Sequence, residues 1–225
     1  MTVRQRRAAT PILLMLGVAA GCRGAPAGRP GSAPSPVAGS SGAFSDTVGG
    51  GMVPAGYGTL RQDDIAIKLQ VQDVLVRLVP LDEGVIRVLS PDSYQALRQL
   101  AESRNDQLAR LTTLHGLRER RLWFVTFFGL APDARFTPTD VTITAAGREY
   151  RPLEIIPLGA RFGEQRLQPR DSQSAIYLFE DGLDVSQPVV VISGSQRNAG
   201  WQESLRAIER ERALIRSRAG RGKTP

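Results

Sequence analysis

From Asp64 the chain alternates apolar and polar residues with the period of a strand. Ile65, Ile67, Leu69 and Val71 share one face, and Ala66, Lys68, Gln70 and Gln72 share the other. The apolar phase then moves to Val74, Val76 and Leu78. One extra residue near Asp73 produces that shift, as a bulge or as a tight turn between two strands. Gly84 precedes Val85, Ile86, Val88 and Leu89, which read as a third short strand. Residues 122–130 (LWFVTFFGL) combine aromatic and β-branched side chains at the length of a central strand. Segments 141–144 and 150–156 flank a hairpin with Gly147 in its loop, and 175–179 and 189–193 complete the set. Seven or eight short strands separated by turn signals predict a β-sandwich.

Two stretches change to helical period. Ser90 caps a helix with Pro91 at its first position, and Tyr94, Leu97, Leu100, Ala101, Leu108, Leu111 and Leu114 follow near 3.6-residue spacing. The pattern predicts one insertion helix over about 90–116, ended at His115-Gly116, where glycine supplies a left-handed turn. A C-terminal helix starts near Trp201, with Leu205, Ile208 and Ile215 on one stripe. Beyond Ile215 no apolar face is left, so RSRAGRGKTP is expected to fray into a mobile basic tail.

Upstream of Asp64 neither period survives. Residues 23–58 are Gly, Ala, Pro and Ser with almost no large apolar side chain. Such a composition cannot offset its ordering entropy by burial, so a disordered tether over 22–58 is expected, spanning roughly 30 to 36 Å. The alternative is that Phe44, Met52, Val53 and Tyr57 dock on the domain.

Residues 1–21 hold Arg4, Arg6 and Arg7, then a short apolar run from Pro11 to Ala20. That run is about half the roughly 20 residues a membrane span needs. Ala19-Ala20-Gly21-Cys22 resembles the box of a bacterial lipoprotein signal, an apolar residue and two small ones before a cysteine. The resemblance implies diacylglycerol on the Cys22 thiol, cleavage before it and acylation of the new amino group. A cleaved signal peptide with a chance cysteine is the plainer alternative. Arg23 stands where an aspartate would resemble an inner-membrane retention signal, which points to the outer membrane of a two-membrane cell envelope.

A second resemblance covers about residues 122–193. The run LWFVTFFGL, FTPTDVTITAAGREYRP and SAIYLFEDGLDVSQPVVVIS resembles the immunoglobulin-like (telokin-like) domain of many bacterial lipoproteins. Phe136 and Pro138 match its F-x-P turn, Gly147 and Tyr150 its G-x-x-Y hairpin, and Phe179 the end of a later strand. It implies an immunoglobulin-like β-sandwich serving as an extracytoplasmic interaction or adaptor domain, with no catalytic residues to carry over.

Composition narrows the chemistry. The formal net charge of +7 falls to +4 once the three leader arginines are removed, too little to imply nucleic-acid binding. One cysteine and one histidine leave no internal disulfide and few zinc or nucleophile–histidine sites. His115 suits a helix C-terminus, Lys68 lies in a regular strand pattern, and 180–184 (EDGLD) lacks the ligand alternation of a calcium loop. No catalytic residue, metal site or cofactor is expected. The remaining feature is basic: Arg118, Arg120 and Arg121 cluster, and 206–223 carries seven basic residues against Glu209 and Glu211. Arg206, Arg210, Arg212, Arg216 and Arg218 form a candidate contact patch for anionic lipid, surface polysaccharide or an acidic envelope protein. The plain alternative is a solvated helix face with pairs such as Glu203–Arg206 and Glu209–Arg212.

The expected organisation is a signal peptide over 1–21, a lipid-anchored tether over 22–58, a β-sandwich with a helical insertion over 59–195, and a basic helix and tail over 196–225. The expected function is non-enzymatic binding or scaffolding in the cell envelope. An enzyme or small-ligand-binding protein, with its cleft between the sandwich and the 90–116 helix, is the alternative. The sequence leaves the oligomeric state open.

Overall fold

The computed structural model describes residues 52–221, with side chains through Ala219. The readings of 1–21, Cys22 and most of the tether lie outside the described residues. In chain order the elements are β1 (Ile67–Val71), β2 (Val74–Pro80), α1 (Glu83–Ile86), α2 (Pro91–Glu102) and α3 (Asn105–Leu114). Then follow β3 (Arg121–Gly129), β4 (Ala134–Arg135), β5 (Val141–Ala145), β6 (Arg148–Tyr150) and β7 (Glu154–Pro157). The last are β8 (Arg166–Leu167), β9 (Ser172–Phe179), β10 (Val189–Ser193), β11 (Gln196–Asn198) and α4 (Trp201–Arg221).

The fold is mainly β. A five-stranded sheet runs β1-β2-β3-β9-β7, a four-stranded sheet runs β11-β10-β5-β6, and β4 pairs with β8. Every ladder is antiparallel, and neither large sheet closes into a barrel. Inward residues of both sheets join one core cluster with Trp123, Trp201, Tyr177 and Phe127 among its largest members.

The strand periods translate directly. Ile65, Ile67 and Leu69 are buried while Lys68 and Gln70 are exposed. The phase shift near Asp73 is a tight turn: Val71 pairs with Val74, and Gln72 takes a positive φ of 52°. The β5–β6 turn sets both Ala146 (φ 48°) and Gly147 (φ 79°) in the left-handed region, as a type I′ hairpin requires. The residues of the F-x-P and G-x-x-Y motifs are structural. Phe136 stacks on Phe127 at 4.3 Å, Pro138 accepts a hydrogen bond from the Tyr177 hydroxyl at 2.8 Å, and Tyr150 donates to the Gly182 carbonyl at 3.0 Å.

Four expectations are corrected. The expected strand at 85–89 is instead the short helix α1 and the turn after it. Asp82 caps it by accepting from the Val85 N–H at 3.3 Å. Val85, Ile86, Val88 and Leu89 are all buried, so a run apolar on every side carried no period to separate strand from helix. The single helix over 90–116 is two helices, α2 and α3, broken at Ser103-Arg104. There the Ser103 hydroxyl bonds back to the Leu100 carbonyl at 2.7 Å, a local bond that competes with helix continuation. The break lets Leu97, Ala101 and Leu108 all reach the core.

The expected tether boundary at 58 also moves upstream. Val53 is buried, Ala55-Gly56 turns the chain, and Gly58 lies so close to α1's exit that a Cβ would stand 2.1 Å from the Val88 carbonyl oxygen. Finally, α4 does not fray after Ile215 but stays helical through Arg221. Its last turns are held by the strap over residues 52–61, which has no secondary structure to announce it.

Candidate functional site

α4 presents one stripe to the core and one to solvent. Trp201, Ile208 and Ile215 are fully buried, and the Trp201 indole donates to the Val185 carbonyl at 2.8 Å. Arg206, Arg210 and Leu214 recur every fourth residue on the exposed face. Between that face and β1 opens a groove of about 760 Å³, walled by Asp63, Asp64 and Lys68 on one side and Glu203, Arg206 and Arg210 on the other. β1 is an edge strand, and Asn198 of β11 donates to its Lys68 carbonyl at 2.8 Å beside the groove. The residues of α2 and α3 take no part in lining this groove, so it differs from the cleft expected beside the insertion.

The five candidate arginines divide. Arg206, Arg210 and Arg216 are exposed and form no ion pair among the described residues. Arg212 is buried: it pairs with Glu209 and donates to the Gly84 carbonyl at 2.8 Å, which ties α4 to α1. It therefore leaves the expected contact patch. Arg218 is half-buried and reaches both Glu211 and the Tyr57 carbonyl at 2.8 Å. The sequence missed this clamp, although Glu211 and Arg212 fall beside the Ile208–Ile215 stripe, a place where a charge signals a buried partner.

A buried ionic cluster sits beside Arg212, near the middle of α4. Asp82 is 5% exposed, with Arg121 of β3 at 4.0 Å and Arg212 nearby. Burial pushes its carboxyl up to about 7, against the pull of Arg121, the backbone N–H groups of Val85 and Gly84, and Arg212. Glu83 pairs with Arg87 and accepts from the Tyr94 hydroxyl at 3.3 Å, joining α1 to α2. Arg121 also pairs with Glu119.

The other singled-out residues hold the fold. His115 closes α3 by donating its N–H to Leu111, and its Nε2 lies 2.9 Å from Glu154. Lys68 pairs with Asp63 at 3.1 Å. In the 180–184 loop, Asp181 accepts from the N–H groups of Arg118 and Glu119, Asp184 from Ser186, and Glu180 pairs with Arg148. Arg120 donates to Asn105 at 2.8 Å. Among the described residues no group of His, Cys, Asp and Glu is placed to hold a metal, and no helix is long and apolar enough to cross a membrane.

What these features define is a mainly antiparallel-β domain with a charged open groove and a basic helix clamped to its own N-terminal strap. No family model, curated protein or solved structure matches the chain.

Proposed function

We propose that the chain is a lipid-anchored cell-envelope protein, held through Cys22, that presents its β domain as a non-enzymatic binding or scaffolding module. The observation that carries the reading is Ala19-Ala20-Gly21-Cys22 at the end of a basic-then-apolar leader. Several acyl chains, at about 0.8 kcal/mol per buried methylene, give a stable anchor. The non-enzymatic part rests on occupancy: His115, Lys68 and the 180–184 carboxylates are each engaged in an ion pair or a loop bond. An immunoglobulin-like arrangement of the two sheets is part of the proposal. It is supported by their shared core and by the tie from Tyr150 to Gly182. Outer-membrane placement follows from Arg23 after the cysteine.

The test is Cys22→Ser expressed with its leader. The variant is expected to lose incorporation of a fatty-acid probe and to leave the membrane fraction. Retention in that fraction at high salt would sink the anchor. The β1–α4 groove favours one further reading, a small-ligand-binding domain, which predicts a rise in melting temperature with polar solutes that Arg206→Ala abolishes.

A further inference from the structure

The strap runs antiparallel to α4. The Asp64 carbonyl accepts from Ser204 at 3.5 Å near the helix start, Thr59 meets Glu211 at 3.0 Å, and the Tyr57 carbonyl meets Arg218 at 2.8 Å. The chain therefore leaves the domain toward Cys22 beside the C-terminal half of α4. Met52 follows Cys22 by 30 residues. In the lipid-anchored reading, the surface around that exit is the part of the domain nearest to the anchor along the chain.

That surface has the composition of a membrane interface. Met52, Tyr57 and Leu214 are 49%, 50% and 50% exposed, and they are three of the six exposed large hydrophobic side chains among the described residues. The last two acids of α4 are engaged, Glu209 by Arg212, and Glu211 by Arg218 and Thr59. No Asp or Glu follows Glu211, while Arg216 and Arg218 do, and Arg210 and Arg216 carry no ion pair among the described residues. An aromatic, an aliphatic and an arginine with no ion pair among the described residues, at the root of a lipid tether, match an interfacial seat on anionic lipid.

We propose that the C-terminal half of α4 and the adjoining strap form a membrane-facing surface that seats the domain on anionic phospholipid headgroups. The seat rests on the lipid-anchored reading of Cys22. Its occupant is the bilayer bearing that anchor. Arg210, one turn before Leu214 on the same exposed face, meets phosphates, while Tyr57 and Leu214 enter the headgroup boundary.

The mature chain's one cysteine is consumed by the anchor, so an introduced cysteine is its single free thiol. Acylated full-length protein carrying Tyr57→Cys, Leu214→Cys or Leu130→Cys is labelled with an environment-sensitive fluorophore. Each is reconstituted into phosphatidylcholine vesicles with or without phosphatidylglycerol. Leu130, at the far end of β3 from Arg121, is the exposed control. Tyr57→Cys keeps the backbone carbonyl that Arg218 holds.

On anionic vesicles the probes at 57 and 214 are expected to shift to the blue and resist an aqueous quencher several-fold better than the probe at 130. High salt, or Arg210→Gln, is expected to remove the difference. Probes at 57 and 214 as open to the quencher as that at 130 overturn the seat and leave the anchor standing. Equal protection on both kinds of vesicle overturns the anionic selectivity. Flotation with neutral vesicles reads the anchor by itself: protein that fails to float overturns the anchor and the seat together.

Discussion

Thr59 donates both its backbone N–H and its hydroxyl to one carboxylate oxygen of Glu211, each at 3.0 Å, across 152 positions of sequence. Arg218 approaches the same oxygen at 2.8 Å. Because Glu211 is only 4% exposed, removing its carboxylate leaves three donors with reduced access to water. Glu211→Ala is expected to cost about 2 to 4 kcal/mol and to free the strap. Hydrogen exchange of the Leu60–Ser90 region and proteolysis near Tyr57 should both accelerate in that variant, with the β3–β9 ladder still protected. Unchanged exchange in the strap would show that the clamp does not hold it.

Gly58 tests the same strap by sterics. A Cβ there would meet the Val88 carbonyl oxygen at 2.1 Å and the Leu89 carbonyl oxygen at 2.5 Å, both backbone atoms that cannot swing aside. Gly58→Ala is expected to destabilise by roughly 1 to 3 kcal/mol, the range of overpacked sites. Chemical denaturation would read it; a neutral result would mean that the strap lifts without cost.

Ile67 and Lys68 are neighbours on opposite faces of β1. Ile67 is 3% exposed, so Ile67→Ala is expected to lose about 2 to 5 kcal/mol, whereas Lys68→Ala removes one exposed pair with Asp63 worth less than about 1 kcal/mol. Urea midpoints for the two variants should differ accordingly. Equal losses would contradict the assigned faces.

Asp82 makes stability depend on pH. Its folded pKa of about 7 lies above the ordinary value of 3.8, burial being the largest cause. Between those values the folded chain holds a proton that the unfolded chain has released. The group's contribution is therefore fully present below about pH 4 and is lost as pH rises through about 7. Asp82→Asn keeps a cap acceptor for Val85 but does not titrate. The stability gap between wild type and variant should shift by a few kcal/mol between about pH 4 and pH 8, in favour of the variant at the higher pH. Quenching or shift of Trp123 and Trp201 emission, both rings being buried 6.1 Å apart, follows the unfolding. A gap that stays constant with pH would rule out a shifted Asp82.

Local period accounts for what was legible. β1, β2, β3, β5, β9, β10 and the start of α4 announce themselves because each exposes one face and buries the other, or carries the β-branched and aromatic residues of a central strand. α1 is buried on every side, so its residues carry no such contrast. The α2–α3 break carries only a local mark, the Ser103 hydroxyl that turns back to the Leu100 carbonyl, while the apolar spacing runs on past it to the buried Leu108.

The candidate site divides the same way. Sequence by itself determined the alternation of β1 and the excess of arginine along α4, since each is a property of neighbours in the chain. Only tertiary structure decided which of those arginines face water. Arg212 and Arg218 are drawn inward by Gly84, Glu211 and Tyr57, and Arg210 and Arg216 are left outside. A charge can be buried only where distant residues supply its counter-charge and hydrogen bonds, so its place is set by the fold that assembles them.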